Sequence, residues 1–178
     1  MAKVFKRGKM LSGVADSYLA NGIAEVDVIN GAILALGDLV ADTTYSASGV
    51  EYDTYEAAAP TAATNEIVIA DYAGISEGEI SGNVYKMGVK LYDLTIPAGE
   101  IFRVRRLALH DKFWLGDGNF ASTPTVGQYA TADANVMTHK PAAELPGTGY
   151  AVKVIASQDL TAGMASKGTL YLCEVVQL

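Results

Sequence analysis

Ile101-Phe-Arg-Val-Arg-Arg-Leu-Ala-Leu109 is the most decodable stretch of this chain. Side chains alternate across a β-strand, so Phe102, Val104, Arg106 and Ala108 share one face, and Ile101, Arg103, Arg105, Leu107 and Leu109 share the other. Arg103 and Arg105 therefore point one way and Arg106 the opposite way. Arginines on both faces of an apolar strand need carboxylate or backbone-carbonyl partners unless they lie at an exposed end. The expectation is structural ion pairing for Arg103, Arg105 and Arg106, with Arg103 or Arg105 meeting an acid of the N-terminal half. That acid belongs to the same subunit or to a neighbouring one.

Outward from this strand the chain continues in short apolar or alternating runs separated by Gly and small residues, and no long stretch carries a 3.6-residue period. Strands are expected at Val26–Asn30, Ala32–Leu36, Leu39–Asp42, Glu66–Asp71, Tyr85–Leu94, Ile101–His110, Lys112–Leu115, Gly127–Thr131, Tyr150–Ser157 and Thr169–Gln177. Asn30-Gly31, Pro97-Ala-Gly99, Gly116-Asp-Gly-Asn119 and Pro146-Gly-Thr-Gly149 mark turns. Tyr45–Asn65 reads as a long, partly extended loop or an irregular strand pair, and Asp133–Gly149 as a second long loop. Ser12–Gly22 reads as one short helix or an ordered arm. The fold class is all-β: a small β-barrel or a sandwich. A faint similarity between Gly31–Asp71 and Phe113–Ile155 allows two related β-halves. The chain divides into an extended N-terminal arm at 1–22, an acidic β-half at 23–95 and a C-terminal β-half at 96–178, the last two forming either two units or one.

Charge is sorted along this frame. Twelve carboxylates and no Lys or Arg lie between residues 10 and 85, whereas the first nine residues carry Lys3, Lys6, Arg7 and Lys9 and no acid. Residues 86–178 are nearly neutral, and the formal net charge of the whole is −7. An acidic body behind a basic arm suits a surface on which charge selects partner and orientation; a solvated acidic face is the plainer alternative. The basic arm is expected to be disordered until it binds a partner, or simply frayed. An acidic protein with pI ≈ 4.7 is a poor general nucleic-acid binder. No run of 18 apolar residues spans a membrane, and the first residues lack the apolar stretch of a signal peptide. These readings place synthesis and use in a cytoplasm.

Catalytic constellations are not legible. The two histidines stand apart: His110 beside Asp111 at a strand end, where neighbouring side chains face opposite sides, and His139 in the second long loop. There is no nucleophile elbow, phosphate loop, zinc-ligand spacing or dinucleotide fingerprint. Asp117-Gly-Asn119 lacks the alternating acids of a calcium loop and reads as a tight turn. Cys173, within Leu170-Tyr-Leu-Cys-Glu-Val-Val176, reads as a buried thiol. The expectation is no enzyme, no cofactor and no metal. Ten tyrosines point instead to surfaces: Tyr45, Tyr52 and Tyr55 interleave with Glu51, Asp53 and Glu56, a composition favoured at protein interfaces. The same rings serve equally well as cover for a β-rich core.

Asn30-Gly31, Leu36-Gly-Asp-Leu-Val40, Tyr52, Ala57-Ala-Ala-Pro60, Glu66-Ile-Val-Ile-Ala-Asp71, Ile96-Pro-Ala-Gly-Glu-Ile-Phe-Arg-Val-Arg-Arg-Leu107 and Asp111-Lys-Phe-Trp-Leu115 follow one another in a succession. This succession resembles the head decoration or cement (auxiliary capsid) proteins of tailed bacteriophages. The resemblance spans roughly residues 30–178 and its motifs are structural. It implies a non-enzymatic β-rich virion protein, made in the host cytoplasm, that binds the major capsid protein on the capsid exterior and stabilises the shell. It further implies that Lys3, Lys6, Arg7 and Lys9 form a capsid-binding arm, and that the protein pairs with itself on the shell in some members. Two alternatives stay open: another phage structural protein (major capsid, connector or tail component), and a ligand-binding β-domain using the loop tyrosines.

Overall fold

The computed structural model describes residues 1–40, 54–62, 65–72, 94–162 and 165–178. In chain order the strands are β1 (Phe5–Arg7), β2 (Leu19–Ile23), β3 (Val28–Ile29), β4 (Ile33–Leu39), β5 (Thr54–Ala58), β6 (Ile67–Asp71) and β7 (Thr95–Ile96). They continue with β8 (Ile101–Arg106), β9 (Lys112–Gly116), β10 (Tyr129–Asp133), β11 (Val136–Ala142), β12 (Ala151–Ala162) and β13 (Ala165–Gln177). The only helical pieces among the described residues are single 3₁₀ turns at Leu11–Gly13, Asp16–Tyr18 and Asp117–Asn119. The all-β expectation is met.

Two bodies share one core. The first is a closed five-stranded barrel in the order β2-β5-β4-β6-β8, with β2 and β5 parallel and all other neighbours antiparallel. The second is an open antiparallel sheet in the order β1-β9-β13-β12-β10-β11. A two-stranded pair, β3 with β7, lies beside the barrel. Barrel and sheet differ in closure and strand direction, so the faint similarity of the two halves does not extend to their topology.

The apolar pattern follows from this arrangement. In β6 the run Ile67-Val-Ile-Ala70 is buried throughout. Val68 and Ala70 point into the barrel with Leu34, Phe102 and Val104, while Ile67 and Ile69 point out into the layer beneath the open sheet. Ile33 and Leu34 in β4 divide in the same way. A strand covered on both faces reads as a continuous apolar run and not as an alternation. The sheet contributes Phe113, Leu115, Tyr171, Cys173, Val152 and Val154 to the shared layer.

Several sequence expectations are corrected. The strand expected through His110 ends at Arg106, because residues 108–111 turn back: Asp111 N–H donates to the Ala108 carbonyl at 3.1 Å, and His110 has φ 69°. The strand expected over Val26–Asn30 is only Val28–Ile29. Asp133–Gly149 is not a loop throughout, since Val136–Ala142 forms β11, joined to β10 through Asn135 at φ 61°. Pro141 fits there because β11 is the sheet's last strand, and an edge tolerates a missing N–H. Ser12–Gly22 is neither a helix nor an arm but two 3₁₀ turns leading into barrel strand β2. The strand expected at Tyr85–Leu94 lies, apart from Leu94, outside the described residues.

The largest correction concerns the first ten residues. They were expected to form an extended arm, free until bound; instead β1 is a strand of the sheet, with Phe5 opposite Leu115 and Arg7 opposite Phe113. Phe5 and Met10 lie in the shared core and Ala2 is fully buried. Burial of two large apolar side chains outweighs the repulsion among four bases, at roughly 1.5–3 kcal/mol for each.

Candidate functional site

The basic segment is stitched to the body by polar groups about a hundred residues away. Ala2 N–H donates to the Asp117 carboxylate, Val4 N–H to Asn119 Oδ1 at 3.2 Å, and Leu11 N–H to Asp111 Oδ1 at 2.8 Å. In return Gly118 and Gly116 donate to the carbonyls of Ala2 and Val4, each at 2.9 Å, and Lys112 N–H donates to the Lys9 carbonyl at 2.7 Å. Gly116 is required by this approach, because a Cβ there would collide with the Ala2 carbonyl. Gly116-Asp-Gly-Asn119 is the turn its residues predict, and its side chains also hold residues 2–4. Lys6, Arg7 and Lys9 are left exposed along the strand and Lys3 is half-buried.

The three β8 arginines take different roles. Arg105 is 1% exposed; its Nε lies 2.5 Å from Asp71 Oδ2 and its Nη1 donates to the Ser12 carbonyl at 2.7 Å. It thereby ties β8, β6 and the first 3₁₀ turn together, and Arg7 Nε approaches the same Asp71 oxygen at 3.9 Å. Arg106 pairs with Glu66 at 3.0 Å and lies over the Tyr55 ring, 5.8 Å from its centroid. Arg103 stands opposite Asp71 in the ladder and is exposed, with no ion pair among the described residues. Tyr55 is half-buried against the barrel core, so its ring is cover as well as surface. Tyr45, Tyr52, Glu51 and Asp53 lie outside the described residues.

The outer face of the open sheet is a second charged surface. Across its strands Lys6, Trp114, Leu172 and Ala156 stand in one row, and Lys112, Glu174, Lys153 and Tyr129 in the next. Lys112 Nζ lies 3.6 Å from Glu174, which His110 Nδ1 also approaches at 3.2 Å, and Lys153 lies over the Tyr129 ring. Sequence reading missed this face, although alternation in Lys112-Phe-Trp-Leu115 carries it: Phe113 and Leu115 point inward, Lys112 and Trp114 outward.

The chemistry-bearing groups are structural in their surroundings. His139 is fully buried on β11, with Nε2 2.8 Å from the Tyr150 hydroxyl and Nδ1 3.3 Å from the Asn119 carbonyl. Burial pushes its pKa down to about 4, against a smaller opposing effect of the Asn119 carbonyl. Burial likewise pushes the Cys173 thiol and the Tyr150 hydroxyl well above their ordinary ranges. Asp111 is engaged by the backbone N–H groups of Leu11 and Ala108 and not by His110. Among the described residues no three His, Cys, Asp or Glu side chains converge on a metal position. A shallow cleft of about 310 Å³ is lined by Asn65, Glu66, Ile67, Leu107, Tyr150 and Leu178. No described helix is long and apolar enough to cross a membrane. Comparison with family models, with curated proteins and with solved structures finds no match for this chain.

Proposed function

We propose that this chain is a non-enzymatic structural protein of a tailed-phage virion, seated on the capsid exterior, where it binds the major capsid protein and stabilises the shell. The observation that carries the reading is the ordered basic edge. Arg7 and Lys9 are exposed on a segment whose backbone is pinned at Ala2, Val4, Lys9 and Leu11. A preorganised row of charge loses less entropy on docking than a free arm and fixes the orientation of the acidic barrel beside it. The resemblance of residues 30–178 to decoration and cement proteins supports the same reading. The partner is then a capsid protein presenting acids to this edge, and the site of assembly is the host cytoplasm.

The test is re-addition of purified protein to phage heads stripped of it. Saturable binding and a raised head melting temperature are expected, weakened roughly tenfold by Arg7→Gln with Lys9→Gln and reduced by salt. Failure of the unaltered protein to bind heads, or binding indifferent to both the variant and salt, would falsify the proposal.

A further inference from the structure

Two surfaces of this chain, on different elements of the fold, complement each other in polarity and charge. One is the outer sheet face, where Trp114 and Leu172 form an apolar centre beside the row Lys112, Glu174 and Lys153. Glu174 is already shared by Lys112 and His110, which leaves the row basic. The other is a knob beside the barrel, between β2 and β3. There Val26 is 54% exposed between the exposed acids Glu25 and Asp27. Its shape is fixed by two bonds to the β7–β8 turn: Gly99 N–H donates to the Ala24 carbonyl at 2.8 Å and Ala98 N–H to Asp27 Oδ1 at 3.0 Å. That turn brings in a third exposed acid, Glu100. Residues 24–30 and 94–100 contain no Lys or Arg.

We infer that the outer sheet face receives the Val26 knob of a second copy of this chain. An apolar tip ringed by carboxylates matches an aromatic centre flanked by lysines in both polarity and sign. Such matching sets register and suppresses the like-with-like pairings, sheet face on sheet face or knob on knob. Buried aromatic anchors with a charged rim are the usual anatomy of a protein interface. The two surfaces differ, so the contact is head-to-tail and builds a ring if its rotation closes and a chain if it does not. Neither the basic edge at Arg7 and Lys9 nor the reading as a shell protein is needed for it.

Trp114 is the only tryptophan of the chain and stands in the centre of the receiving face, so its emission reports the contact directly. Sedimentation velocity of the full chain at low salt should show concentration-dependent species larger than a monomer, with Trp emission shifted to the blue. Both should reverse in about 1 M salt, where the Debye length is about 3 Å. Lys112→Glu with Lys153→Glu reverses the face, and Glu25→Lys with Glu100→Lys reverses the knob. Each alone should weaken association at least about tenfold, and an equimolar mixture of the two should restore it. Val26→Ser, a change at an exposed position, should weaken association without touching charge. A protein that stays monomeric at all concentrations in low salt would overturn the inference. So would association that ignores Val26→Ser and salt, or two folded charge variants that stay apart when mixed.

Discussion

The barrel and the open sheet are built from similar strands and treat their surfaces in opposite ways. The barrel is closed, so its strands have no free edges, and β6 and the start of β4 at Ile33 and Leu34 are apolar on both faces because one face lines the barrel and the other the shared layer. Its outward surface combines exposed strand residues such as Asp38, Glu56 and Arg103 with connections such as the one at Val26. The sheet is open and covered on one side only. It keeps an edge at β1 and an outer face with Trp114, and its charges lie on the strands themselves. Burial on both faces makes β6 read as core, whereas the open sheet turns every second residue of β9 outward.

Barrel and sheet should unfold together. A single melting transition is expected, because both draw on one core layer, and the largest loss should come where the edge strand enters it. Phe5→Ala should cost about 4 kcal/mol and lower the temperature of that one transition. Two transitions, with only one of them moved, would show that sheet and barrel are independent.

His139 gives the next effect and belongs to the sheet side alone. Its folded pKa of about 4 lies below the ordinary value of 6.5, so the unfolded chain binds more protons between these limits. Stability is therefore complete above about pH 6.5 and declines as pH falls toward 4, by about 3 kcal/mol across the window. Denaturant midpoints measured through that range should show the decline, and His139→Gln should flatten it.

Arg105 tests the barrel side, since it joins barrel strands to the segment that leads from β1. Arg105→Met strands Asp71, which is 14% exposed and can partly rehydrate, so a cost of about 2 kcal/mol is expected in urea unfolding. Adding Asp71→Leu should recover much of it. The smallest effect belongs to the exposed barrel surface. Arg106→Ala removes a solvent-exposed pair with Glu66 and a contact with Tyr55, and should change stability by less than about 1 kcal/mol.

Which parts were legible follows from where the determining contacts lie. β8 and β6 were readable because their burial is written in the strand itself, as alternation in one and a continuous apolar run in the other. β2 was not, because Leu19-Ala-Asn-Gly-Ile23 carries little propensity and is fixed by its neighbours. Gly22 sits where a Cβ would lie 3.1 Å from both Ala57 and Val104, a constraint set by strands far along the chain. β11 was hidden by Pro141, which signals a break everywhere except at an edge. The outward aim of Trp114 and Lys112 could be read by counting residues. The ordering of Lys6, Arg7 and Lys9 could not, since the groups that impose it, Asp111, Asp117 and Asn119, meet them only after folding.

The same long-range stitching sets a timetable. Ala2 and its partner Asp117 are separated by 115 positions, and Leu11 and Asp111 by 100. At the usual pace of about 5–20 residues per second, a ribosome releases β1 several seconds before it makes β9. During that interval β1 has no partner strand, and a long loop must close before it gains one. Its four positive charges then act as a safeguard, keeping an unpaired strand soluble until its place in the sheet exists. The charges that stay exposed in the finished protein would first have protected the strand that carries them.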